Sequence, residues 1–111
     1  MIDLNNNITS HINDKFALIK YKGWNDIPMM TSNNYVNIIK FCKDSDQEFS
    51  KWALSKTTRE LAVNTSLIRN IPLSDIIITI KDITPPVLNG VYIHPDLLPS
   101  FVTWVDHGLF I

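Results

Sequence analysis

The sequence predicts a small α+β domain in which a pair of helices is followed by a β-hairpin and one further helix. Three observations predict it. Residues 15–21 (KFALIKY) and 74–81 (SDIIITIK) are rich in β-branched and aromatic residues, as strands are. Between them, apolar residues recur at steps of three and four behind capping-type residues. After them, Pro95 opens a segment that puts Leu97, Leu98, Phe101, Val102 and Val105 on one helical face.

Taken in order, residues 1–14 are polar, with Asn5, Asn6 and Asn7 in a row, and are expected to be loosely ordered. That leaves residues 15–111 as a single domain, in keeping with a length of 111 residues and one hydrophobic core. The first strand, KFALIKY, ends in a turn at Lys22, Gly23, Trp24 and Asn25, and Ile27 to Met30 is its expected hairpin partner, with Pro28 tolerated if that strand lies at an edge. Tyr35, Val36, Ile38, Ile39 and Cys42 carry helical spacing, so a short helix is expected over residues 35–41 behind Ser32, Asn33 and Asn34. Ser45 and Glu48 have capping-box spacing, which starts a second helix near Asp46. On that helix Phe49, Trp52, Ala53 and Val63 fall on a core-facing arc, while Lys51, Ser55, Thr58 and Arg59 share a polar one. Thr57 and Glu60 repeat the capping pattern, so a fresh helix at Thr58 is the alternative, and it would split the polar arc. Residues 74–81 read as a well-buried strand, Pro85 and Pro86 as a stiff arm, and Asn89-Gly90 as a hairpin turn. His94 stands at a strand-to-helix junction, where a cap or a buried hydrogen bond outweighs a catalytic or metal role.

Composition narrows the function classes. Hydrophobic residues at 45% against 19% charged describe a globular chain with no apolar run long enough for a membrane helix. Cys42 is the only cysteine, which excludes an intrachain disulfide, and no Cys/His spacing suits zinc. Neither a cofactor nor a metal is expected. His11, His94 and His107 do not cluster in sequence, and no nucleophile or carboxylate pair stands out, so no enzyme is predicted. The net charge of −1 hides an uneven distribution: residues 15–69 hold nine basic residues against five acidic ones, whereas residues 70–111 hold Lys81 against four Asp. The heavy use of Asn and Ile fits an AT-rich genome.

The stretch YVNIIKFCKDSDQEFSKWALSKTTRELA, and above all GVYIHPDLLPSFVTW at residues 90–104, resembles the KilA-N domain family of large DNA viruses. The first carries a Tyr-Val-Asn start, a short helix ending in Cys, a Phe and a Trp three apart, then a Lys and a Glu-Leu pair. The second carries Gly, Tyr, His-Pro, Leu and Trp at the family's spacing. The resemblance covers residues 35–104 and looks closest to the poxvirus branch. It implies an APSES-like fold with a helix-turn-helix-like pair and a hairpin wing, compatible with a winged helix-turn-helix. It also implies DNA binding through the second helix and the wing, and a setting in the host cytoplasm at viral replication sites. Similar poxvirus proteins add a RING ubiquitin-ligase module, which needs several Cys and His ligands that this sequence lacks. Residues 106–111 depart from the family's usual continuation, as an excised domain or a shortened gene product would.

The expected DNA contacts are Lys51, Ser55, Thr58 and Arg59, joined by Lys56, with Lys40 and Lys43 at the end of the first helix and Lys81 on the wing as further phosphate candidates. The bland alternative is a solvated helix face. Duplex DNA, single-stranded DNA and RNA all remain open as the nucleic acid. Trp24, beside Gly23, is the one tryptophan open to stacking on a base. The rival partner is a second copy or a host protein, joined through the apolar residues 109–111.

Overall fold

The computed structural model describes residues 3–45 and 48–107, with only the backbone at residues 43–45 and 107. Six antiparallel strands form one sheet: β1 (Ile8–His11), β2 (Phe16–Tyr21), β3 (Trp24–Met30), β4 (Val36–Asn37), β5 (Ile77–Ile80) and β6 (Gly90–Ile93), in the order β1-β2-β3-β4-β6-β5. Four helices, α1 (Ile39–Ser45), α2 (Phe49–Ala53), α3 (Lys56–Arg69) and α4 (Leu98–His107), complete an α+β fold.

Strand alternation sorts the side chains to two faces. Ile19, Ile27, Met29, Val36 and Ile93 point to the helices, where they meet Phe41, Trp52, Phe101 and Trp104 in the main core. Phe101 is its hub, with ring centroids 5.5 Å from Phe41, 5.0 Å from Trp52 and 5.9 Å from Trp104. On the opposite face Phe16, Tyr35, Leu88 and Tyr92 form a smaller core beneath the arm that joins β5 to β6. Ile76 and Ile77 pack on the main core and Ile78 and Ile80 on the smaller one, so contact with both explains the nearly unbroken apolar run.

The structure corrects several local expectations. The stretch expected to be loose instead supplies, from Leu4 onward, a buried leucine, a 3-10 turn at Asn5–Asn7 and the edge strand β1, whose Ser10 and His11 pair with Leu18 and Ala17. Pro28 lies in the interior strand β3 rather than at the sheet edge; β4 meets β3 only at Met29, so the missing amide hydrogen disturbs no ladder there. The helix expected over residues 35–41 begins later. Val36 and Asn37 pair with Ile93 and Tyr92, and the Asn37 side chain then accepts from the Ile39 amide at 3.0 Å, which sets the start of α1.

Ser45 ends α1 instead of capping the next helix, and Asp46 lies outside the described residues. The strand over residues 74–81 shrinks to β5 behind a 3-10 turn at Leu73–Asp75, and it lies at the sheet edge, half-buried rather than well buried. Asn89 and Gly90 do not form a tight hairpin turn: Asn89 is extended, and its side chain spans the arm by accepting from the Ile83 amide at 3.0 Å. Gly90 is required for another reason. Its φ is +152°, and a Cβ there would stand 2.6 Å from Asn37 Oδ1.

His94 does what its junction position predicts. It is 2% exposed, and its Nδ1 accepts from the Asp96 amide at 3.0 Å, capping the 3-10 turn Pro95–Leu97 that leads into α4. Cys42 is buried, and burial pushes its thiol up to about 11, as befits a small core hydrophobe.

Candidate nucleic-acid interface

The corner between α2 and α3 decides which of the expected contact residues can reach a ligand. Ser55 sits there with extended backbone and caps α3, accepting from the Thr58 amide at 3.2 Å. Its hydroxyl also donates to the Trp52 carbonyl at 2.8 Å and lies 2.9 Å from the Thr58 hydroxyl. The helix break anticipated at Thr57 and Glu60 therefore exists, but Ser55 makes the cap and Thr58 is already the third helical residue.

The break redistributes the polar arc. Thr58 is 1% exposed and packs inward with Ala62 and Thr65. Lys51, Lys56 and Arg59 remain exposed, on either side of the corner. Of the four residues expected on one arc, two thus form the corner and two project from it. Val63, expected in the core, faces solvent instead, because restarting the helix at Lys56 rotates its successors relative to α2. Lys56 lies 3.9 Å from Glu60, and with the two side chains 90% and 63% exposed the pair is too well solvated to hold either group.

The far end of α3 is fastened more firmly. Asn70 adopts the left-handed conformation that ends the helix, and the Ile71 amide donates back to the Ser66 carbonyl at 3.0 Å. Arg69 then donates to Asp96 at 2.8 Å, tying the helix end to the turn after His94. Arg69 is accordingly a structural cation.

The remaining candidates gather elsewhere. The Lys40 ammonium donates to the Asn25 carbonyl at 2.6 Å, and Lys40 lines a shallow groove with Pro28, Asn37, Pro86, Val87 and Asn89, beside the hairpin arm. Lys81 is exposed where that arm leaves β5. The arm departs from the Ile80 end of β5, whereas α3 borders a hollow with Leu73, Ile76 and Ile77 at the other end. Lys40 and Lys81 therefore do not join the α3 group. The side chain of Lys43 lies outside the described residues. Trp24 is half-buried with its ring centroid 4.8 Å from that of Phe41, so it packs against the main core. Among the described residues no three His, Cys, Asp or Glu side chains converge as metal ligands.

What the sequence missed is the aliphatic part of the surface. Leu67 and Ile68 are each 74% exposed, and their steps of three and four from Asn64 could have found them.

The family model for the KilA-N domain matches residues 19–110. The KilA-N domain-containing protein L4 of Acanthamoeba polyphaga mimivirus is 30% identical over 102 residues, covering 92% of this chain and 22% of that protein. Protein L32 of the same virus is 27% identical, covering 92% of this chain and 27% of that protein, and L37 is 29% identical, covering 94% and 22%. The chain thus spans about a quarter of the length of these relatives. No solved structure matches it significantly. The resemblance over residues 35–104 pointed to the poxvirus branch, whereas these relatives come from a mimivirus. With the family model matching well over half of its residues, from within β2 onward, the chain belongs to the KilA-N domain family.

Proposed function

We propose that this domain binds duplex DNA through the outward side of the α2–α3 corner, with no chemistry of its own, in the host cytoplasm at sites of viral replication. One observation carries the reading: Lys51, Lys56 and Arg59 are exposed together at a corner whose own polar groups, Ser55 and Thr58, are already satisfied. Ammonium and guanidinium groups pair with phosphate oxygens and position a protein on the backbone. Membership of the KilA-N family supports a nucleic acid as the partner, given the helix and wing that the resemblance assigns to DNA. The wing contributes less, since Lys81 is its only cation and Asp82 follows it. Lys40 and Lys43 are secondary phosphate contacts in this reading.

Fluorescence anisotropy with a duplex of about twenty base pairs tests it. Log affinity should fall linearly with log salt, with a slope of about −0.9 for each phosphate engaged. A matched single strand and an RNA duplex of the same sequence should bind more weakly. Absence of salt-dependent binding to any of the three would refute the proposal.

A second reading has its own observation. Leu67 and Ile68 are exposed side by side on α3, as they would be if that helix met a second copy. Light scattering separates the readings: a stable dimer that shifts no DNA supports the second one.

A further inference from the structure

The solvent side of α3 is poorly suited to phosphate alone. Steps of three and four put Lys56, Arg59, Glu60, Val63, Asn64 and Leu67 opposite the buried Thr58, Ala62 and Thr65. The first five line one open concavity. Val63 is 43% exposed and Leu67 74%, yet an aliphatic group offers nothing to a phosphate oxygen. Glu60, exposed in the same arc, would repel one.

Over the floor of a major groove the same groups do find partners. A thymine presents its 5-methyl group to apolar contact, an adenine accepts one hydrogen bond from an Asn amide at N7 and donates one to it from its exocyclic amine, and the exocyclic amines of adenine and cytosine donate to a carboxylate. We infer that α3 reads base edges, with Val63 and Leu67 against thymine methyl groups and Asn64 bonded to adenine, so that the preferred duplex contains A·T pairs. This rests on the duplex-DNA reading above. Val63 and Leu67 are four residues apart, about 6 Å along the axis. That is close to two base-pair steps of roughly 3.4 Å, so the two thymines would lie about two steps apart. Charge complementarity selects the occupant. Lys51, Lys56 and Arg59 stand at the N-terminal end of the aliphatic pair, which suits a polyanion better than an apolar surface of another copy.

The test uses three duplexes of equal length and the full chain: one of A·T pairs, the same duplex with deoxyuridine for every thymidine, and one of G·C pairs. Removing a methyl contact should weaken binding about fourfold, and removing two on the order of tenfold. Replacing both Val63→Ser and Leu67→Ser should abolish the difference between thymidine and deoxyuridine. Asn64→Ala should narrow the preference for A·T over G·C and leave the methyl effect in place. All three positions are exposed, so these variants should melt like the parent. Equal, salt-dependent affinity for all three duplexes would overturn this inference and leave the proposed function standing. No salt-dependent binding to any duplex would overturn both. Conversion of a dimer to a monomer by the serine pair, with the methyl effect unchanged, would assign the aliphatic pair to a second copy and overturn the inference.

Discussion

Over residues 90–104 only Thr103 is exposed, whereas along the outward arc of α3 the side chains of Lys56, Arg59, Glu60, Val63, Asn64 and Leu67 all are. The first region carries the residues by which the chain is recognised: Gly90 fits against Asn37, Tyr92 donates to the Leu88 carbonyl at 2.7 Å, His94 caps the next turn, and Phe101 anchors three aromatic rings. Each choice is dictated by packing or by a satisfied polar group, so each is hard to replace. The α3 arc is constrained by almost nothing within the chain. The recognisable block is therefore scaffold, while the surface proposed for binding lies on an arc that packing within the chain does not constrain.

Changes in the two regions should separate stability from binding. Phe101→Ala should have the largest effect, a loss of about 3–5 kcal/mol in denaturant unfolding, because it empties the centre of the main core. Ser55→Ala comes next, at about 1 kcal/mol, since Ser55 caps α3. A loss well under 0.5 kcal/mol would show that the corner does not depend on its cap.

His94 gives a pH dependence whose sign follows from its burial. Desolvation lowers its pKa below the ordinary 6.5, with the Asp96 carboxylate opposing and the Arg69 guanidinium assisting. Below about pH 6.5 the unfolded chain takes up a proton that the folded chain resists, so stability should fall as pH drops through that range. Above about pH 7.5 His94 contributes no slope. In urea titrations between pH 5 and 8 His94→Asn, which retains an acceptor but does not titrate, should flatten its part of the decline; an unaltered decline would mean that His94 is protonated equally in both states. The smallest effect is expected from Lys56→Gln with Arg59→Gln, within about 0.5 kcal/mol of the parent stability.

Much of the fold was legible because it follows from local rules. The β2 stretch, the His94-Pro95 junction and the apolar face of α4 are fixed by patterns within a few residues. What was not legible depended on distant partners. Val36 and Asn37 fall in a stretch read as helical, but they pair with Ile93 and Tyr92, and the sheet prevails. Residues 8–11 look like a polar tail until β2 supplies a neighbour. At the candidate site the residue types were read correctly as polar, but their direction depended on whether the helix breaks at residue 55 or 58. A shift of three residues turns Thr58 into the core and Val63 out of it.

In the proposed function the exposed cations of the α2–α3 corner hold DNA and the C-terminal block supports them. Salt titration of duplex binding by the Lys51→Gln, Lys56→Gln, Arg59→Gln variant tests it most directly, with a melting curve to show that the fold is kept. If each side chain meets one phosphate, the log–log slope should become shallower by about 2.7, three times 0.9. A variant that melts like the parent and keeps the parent's slope would contradict the account.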